Sequence, residues 1–286
     1  NHVMPTEDGL QPDREDRKTI VLALHHAIHN FDYSDIRDPG FEATRRLTHR
    51  EYSNTVRDLF GIEIDVVDRF PDDLTATSGF DNSANSLFIQ PLLMERYIGI
   101  AEYVVMSALP LQPQSAAEKA ARKRFFNDRP SSPAEVKQAA TRLLEDFLLR
   151  AFRRPPKPAE VQRFVRSVVS AVQSGTDYES AIRSSLQTIL ISPSFLLLTE
   201  SIRGTESGPY RAGDWELASR LSYFLWASMP DHELFELAAA GRLRDNNVLK
   251  QQVDRMINDP KADTMGTVFA SQWLGSQHLG VRMRLD

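Results

Sequence analysis

The sequence predicts an all-α protein, an irregular multi-helix bundle in which stacked helix pairs are one available arrangement. Three observations predict it. Apolar residues recur at helical spacing in one segment after another, residues that start and stop helices punctuate those segments, and no strand-like alternation of useful length occurs. At 286 residues, with 41% apolar and 26% charged side chains, the chain can bury a core and is long enough for two modest domains or one large one. It contains no internal repeat of the kind that builds a regular solenoid.

The first helix is expected from Asp13, with Ile20, Val21, Leu24, Ile28 and Phe31 on one side. The turn-rich segment 32–40 then serves as a linker. Thr48 and Glu51 stand three apart as a capping box, Tyr52, Val56, Leu59 and Phe60 follow, and Gly61 stops that helix. Pro91 opens a helix that runs to Leu109, is apolar on nearly every side and should be central. Segment 115–127 carries Lys119, Arg122, Lys123 and Arg124 on a helix expected to be solvated.

Ser132 and Glu135 form a second capping box, and the helix they start carries Val136, Leu143, Leu144, Phe147 and Leu148 to about Arg150. Beyond the break at Pro155, Pro156 and Pro158, a stripe of Val161, Phe164, Val165, Val168, Val169 and Val172 predicts a helix closed by Gly175. Ala181, Ile182, Leu186, Ile189 and Leu190 define the next, ended by Pro193, and 203–213 is a flexible link. Asp214 is read as the cap of a helix with Leu217, Leu221, Phe224 and Leu225, followed by short helices from about Asp231, Asp245 and Pro260.

Charge and composition exclude several functions. A net charge of -5 gives no general attraction for nucleic acid. The most apolar stretch, 97–109, is too short for a membrane span and contains Glu102. Zero cysteines exclude disulfides, thiolate zinc sites, thiol nucleophiles and thioether-linked haem within the chain. Residues 1–14 are polar and acidic, unlike a signal peptide, so an export signal is expected upstream.

Several motifs, in order, resemble the multidomain planctomycete-type cytochrome c proteins, in which helical domains of unknown function follow a haem domain. They are RRLTHREYSNTVRDLFG (45–61), FPDD (70–73), GFDN (79–82), LLRAFRRP (148–155), ILISPSFLL (189–197), ELASRLSYFLWASMPDHEL (216–234) and QWLG (272–275). The resemblance implies that residues 1–40 are the end of a cytochrome c-like domain plus linker. It further implies a first helical domain at 41–128, a second helical unit at 129–203, and a third domain at 204–286 that continues beyond Asp286. By the same resemblance Met4, followed by Pro5, is a haem axial ligand in the intact parent, haem c is that parent's cofactor, and none is expected on this fragment. The parent would be extracytoplasmic and serve electron transfer or a haem-linked oxidoreductase, with the upstream haem domain and downstream helical domains as this region's partners. A non-catalytic helical binding or structural module, with a protein as a further partner, is the alternative.

Within this chain three clusters invite a chemical reading. Asp72, Asp73, Asp81 and Asn82, with Asp65, Asp68 and Asn85 nearby, could coordinate calcium or position a substrate, although Asx-turns and caps explain such residues equally. His25, His26 and His29 could meet a metal, but His25 and His29 lie about 140° and 180° around the helix from Ile20. That places them on the solvated side with no third ligand in sight. Arg150, Arg153, Arg154 and Lys157 could grip an anion or decorate a helix end. Trp215, Tyr223, Phe224 and Trp226 read as core. Ser192 and Ser194 lack a GxSxG elbow and a paired histidine, so serine hydrolase chemistry finds no support.

Overall fold

The computed structural model describes residues 13–30, 44–71, 79–84, 87–127, 130–199 and 211–275, and within them the protein is all-α. It divides into two compact units, one of 1–41 with 203–210, the other of 42–202 with 211–286.

The described part of the first unit is α1 (Arg14–His29), capped by Asp13, whose carboxylate accepts from the Asp16 N–H at 2.8 Å. Ile20, Val21, Leu22 and Leu24 on it are exposed. The imidazoles of His25 and His29, one turn apart, stack at 3.9 Å.

The second unit contains α2 (His49–Phe60), α3 (Pro91–Ala108), α4 (Ala116–Phe125), α5 (Pro133–Phe152), α6 (Pro158–Gln173), α7 (Tyr178–Leu190), α8 (Pro193–Leu196), α9 (Asp214–Trp226), α10 (His232–Ala239) and α11 (Asn246–Ile257). A 3-10 turn (Pro260–Ala262), a π-helical turn (Met265–Ala270) and α12 (Ser271–Trp273) follow. The capping residues explain the boundaries. The Thr48–Glu51 and Ser115–Glu118 boxes are complete, and Gly61, at φ 70°, adopts the left-handed conformation that ends α2. At α5 the box is half formed, because Glu135 turns its carboxylate to the backbone and hydroxyl of Ser131 instead of Ser132 N–H. The cap of α9 is Gly213 and not Asp214, which is freed to accept from Arg244 Nε at 2.8 Å.

Helices α5, α6 and α7 pack on one another, α3 lies on α7, and α2 on α5. One large core runs through these elements, with Tyr52, Phe60, Phe147, Leu148, Ile182 and Phe195 fully buried or nearly so. Each such side chain contributes about 1.5–3 kcal/mol of burial. A smaller cluster of Ala218, Leu225, Trp226, Leu234, Ala238, Leu243 and Met256 joins α9, α10 and α11, and Trp226 Nε1 donates to Met256 O at 3.0 Å. Helix α3 departs from its expected central place: Tyr97, Ala101, Val104 and Ala108 are buried, whereas Leu92, Ile98, Tyr103 and Met106 on its other face are exposed. Its contacts with α4, α7 and the rings of Tyr52 and Phe70 cover one face, so an all-round apolar sequence did not bring all-round burial. Two-residue strands, β1 (Arg45–Arg46) and β2 (Leu197–Leu198), pair antiparallel and bring the start of α2 to the end of α8.

Candidate functional site, an arginine-lined cavity beside the hub helix

The polar side chains and C-terminal carbonyls of α2 hydrogen-bond to α4, α5, the end of α9 and the turn at Pro260–Ala262. At its N-terminus Glu51 accepts from the Thr48 N–H at 2.8 Å and takes a bidentate pair of bonds from Arg45 at 2.7 and 2.8 Å. Both side chains are largely shielded, which strengthens the pair. Ser53 accepts from Val66 N–H and donates to Asp65, which also accepts from Val67 N–H. Asp65 is thus a turn-former, and the acidic loop begins as an Asx-turn.

Towards its middle, α2 meets α9. Asn54 donates to Ala227 O, Thr55 shares a 3.0 Å hydrogen bond with the Tyr223 hydroxyl, and Asp58 accepts from Ser228 Oγ and Lys261 Nζ, both at 2.8 Å. Arg153 completes this seam from the end of α5. It is 4% exposed and adopts the left-handed conformation at φ 58°, which a non-glycine residue takes only when its surroundings impose it. Its Nη2 donates to the carbonyls of Ser194, Phe195 and Leu197 at 3.1, 3.0 and 2.9 Å, and its Nη1 to Tyr223 at 3.3 Å. Arg153 therefore does sit at a helix end, though not that of its own helix: the left-handed turn swings it inward, onto the carbonyls left over where α8 ends. Arg154 instead forks onto Glu160 at 2.8 and 2.9 Å and so fixes the start of α6.

At the C-terminal end of α2, Arg150 Nη2 donates to Asp58 O at 2.9 Å and Arg124 Nη2 to Leu59 O. Two cations thereby meet the negative pole of the helix. Arg124 was expected on a solvated face, and so was Arg122; both reach inward, Arg122 pairing with Glu179 at 2.6 Å.

Beside these arginines lies a cavity of about 250 Å³. Arg124, Phe125 and Asn127 line it from the end of α4, Tyr178 from the start of α7, and Ala139, Arg142, Leu143, Asp146, Phe147 and Arg150 from α5. The α5 residues are two adjacent stripes at four-residue spacing, one apolar and one charged. Phe60, Phe125 and Phe147 form a ring cluster beneath, with centroids 5.5–5.9 Å apart. Among the described lining residues are Arg124, Arg142, Arg150 and Asp146, and Asp58 also acts on Arg150. Burial, then the neighbouring Arg150 charge, lowers the pKa of Arg124 against the opposing pull of Asp146. Burial lowers that of Arg150 too, opposed by Asp146 and Asp58.

Of the residues the sequence singled out, Met4, Asp72 and Asp73, together with Asn85, lie outside the described residues. Asp81 and Asn82 are described: the Asp81 N–H meets Gln272 Oε1 at 3.4 Å, and the adjacent Phe80 stacks on Phe269 at 5.6 Å, so the GFDN segment lies against the last helical turns. Tyr223 and Trp226 are buried as expected, whereas Phe224 is exposed. Among the described residues no group of three or more His, Cys, Asp or Glu is placed to hold a metal, and no helix is long and apolar enough to cross a membrane. The cavity itself was missed. Its signal was the run Arg142, Asp146, Arg150 alongside Ala139, Leu143, Phe147, which reads equally as an ordinary amphipathic helix; only the placement of α4 makes it a wall.

Comparison with known proteins gives three family models, each described as a protein of unknown function: PSD3 (DUF1587) over residues 45–110, PSD5 (DUF1595) over 139–200 and PSD4 (DUF1592) over 213–284. No curated protein and no solved structure matches the chain. The seam around α2 therefore joins matched regions: Arg153 and the α8 carbonyls belong to the second, Tyr223, Ser228 and Lys261 to the third, and α2 itself to the first. In sequence order, residues 45–110, 139–200 and 213–284 match the PSD3, PSD5 and PSD4 models, three families of unknown function, and α2 in the first matched region hydrogen-bonds to the other two.

Proposed function

We propose that this chain is a non-catalytic helical scaffold and binding region of a larger exported c-type cytochrome, whose electron-transfer or haem-linked oxidoreductase chemistry resides in an adjoining haem domain. The observation that carries the scaffold part is the seam itself. The buried polar side chains Thr55, Arg153 and Tyr223 are joined to one another or to backbone carbonyls, an arrangement that ties the three matched regions together. The haem part rests on the resemblance of the motifs at 45–61, 148–155 and 216–234 to planctomycete-type cytochrome c proteins.

The residues of this chain do not suit haem attachment on their own. There is no cysteine for a thioether bond, and the axial ligand suggested by the resemblance, Met4, would complete a site whose remaining parts are supplied by the upstream domain. An extracytoplasmic location follows from the same reading.

The test is expression of the full-length parent in a host that matures cytochromes c. The expected result is a c-type absorption band in the exported fraction, with a lowered reduction potential for Met4→Ala. A parent without a c-type band, or one indifferent to Met4, overturns the haem reading and leaves the scaffold reading standing.

A further inference from the structure

We propose that the uncovered face of α3 pairs with the same face of a second copy of this chain, the two helices lying side by side and parallel about a two-fold axis.

At about 100° of turn per residue, α3 sets Leu92, Gly99 and Met106 along the middle of its outer side, each seven residues from the next. Glu95 and Glu102 then fall on one edge of that line, Arg96 and Tyr103 on the other, and all of these positions are exposed. Leu92 is 63% exposed and Ile98, on the acidic flank, 51%. The Arg69 guanidinium lies 3.5 Å from the centre of the Tyr103 ring and adds a second cation to that edge. A line that repeats every seven residues between charged edges is the pattern of a helix that packs along another at a shallow angle.

The charges identify the partner. Three and four residues to either side of Glu95, Arg96 and Glu102, where ion pairs on a helix form, stand only apolar residues and Gly99. One acidic and one basic edge on the same face are self-complementary, as a two-fold interface requires. In a parallel pair Arg96 comes opposite the partner's Glu95, while Tyr103 and Arg69 come opposite the partner's Glu102. An antiparallel pair would set acidic edge against acidic edge. Gly99 fits the same arrangement: only proline is a poorer helix former, and a Cβ there would meet nothing within 4 Å, so packing inside the chain does not call for glycine. On the axis, facing its own copy, it lets the two backbones approach closely. Since α3 has 18 residues and is about 27 Å long, its face lies at the small end of specific interfaces, and association in the micromolar range is expected.

This pairing is independent of the haem reading, because a dimer and a c-type band are separate measurements and either can fail alone. Sedimentation equilibrium of the whole 286-residue chain at about 1–500 μM tests it. The wild-type chain should pass from monomer to dimer within that range. Gly99→Glu replaces a poor helix former with a good one, so it spares the fold, yet it sets two like charges on the axis and should weaken the dimer at least about tenfold. Glu95→Arg and Arg96→Glu should each weaken their own dimer about tenfold. Mixing those two variants should restore association to within about threefold of wild type, because each supplies the charge that the other lost, a recovery that damage to the fold would not produce. A wild-type chain that stays monomeric throughout, a Gly99→Glu variant that dimerises as tightly as wild type, or a mixture no tighter than its components overturns the proposal.

Discussion

The Arg153 guanidinium lies with Nη1 3.3 Å from the Tyr223 hydroxyl and its central carbon 5.6 Å from the centre of the Tyr223 ring, although 70 residues separate the two. Tyr223 in turn shares a hydrogen bond with Thr55. One arginine thus links the end of α5, the end of α8 and, through a phenol, helices α9 and α2.

Arg153→Met should therefore cost far more than a surface arginine. It removes the donors for the carbonyls of Ser194, Phe195 and Leu197 and leaves buried acceptors unsatisfied. The expected loss is about 2–4 kcal/mol, seen as a Tm lower by roughly 4–16 °C for a domain of this size. Arg153→Lys should fall between, since an ammonium cannot reproduce the fork. A methionine variant within about 0.5 kcal/mol of wild type would place Arg153 among ordinary surface residues.

Alkaline pH should unfold the protein through its buried phenols. Burial, with the Tyr97 charge second, pushes Tyr52 well up, and burial pushes Tyr223 up against the pull of Arg153. Both folded-state pKa values lie above the unfolded one of about 10. Their contribution is intact below that pH and is lost as pH rises through the folded values, because the unfolded chain sheds protons first. Ultraviolet titration should show late-ionising phenols appearing together with loss of the helical circular dichroism signal, and Tyr223→Phe should flatten the alkaline decline. Phenolate formation complete well before any helix is lost would contradict this.

What the sequence made legible follows from where the information resides. Thr48, Gly61 and the prolines act within a few residues, so helix starts and stops could be read locally. The core face of α6 was equally plain, because Val161, Phe164, Val165 and Val168 repeat at one period and all are buried. The roles of the arginines were not. Arg124, Arg150 and Arg153 act on carbonyls far away in sequence, at Leu59, Asp58 and Phe195. A side chain that reaches several ångströms carries no local sign of which way it turns. The exposed half of α3 was misjudged for a related reason, since hydrophobicity records which residues can be buried and not how many neighbours arrive.

Acid should weaken the junction between α5 and α6. The bidentate bonds from Arg154, and after them the Lys157 N–H, hold Glu160 below its ordinary pKa against the opposing effect of burial. A depressed folded value means that the stabilisation is present above about pH 4.3 and disappears as pH falls through the folded value. The pair is partly solvated, so its worth at neutral pH is at most about 1 kcal/mol. Urea midpoints measured from pH 7 to pH 2.5 should show wild type and Glu160→Gln converging at the acid end. A constant gap across that range would show that the carboxylate charge is irrelevant.

Asp58 and Lys261 offer a test of the hub that separates its two ties. Asp58 accepts from Lys261 Nζ and from Ser228 Oγ, both at 2.8 Å, and from Arg57 Nε at 3.3 Å. Lys261→Ala removes one partner and leaves the carboxylate with two others, so it should cost about 0.5–1 kcal/mol, in keeping with a lysine side chain that is 35% exposed. Asp58→Ala removes both long-range ties and strands the hydroxyl of Ser228, a residue with no exposed surface, which should cost about 2–3 kcal/mol. In a double-mutant cycle the double variant should resemble Asp58→Ala, with a coupling of about 0.5–1 kcal/mol. If the two single variants lose equal stability and the coupling vanishes, the attachment of α2 to the third domain rests on Asn54, Thr55 and apolar packing alone, and Asp58 has no part in it.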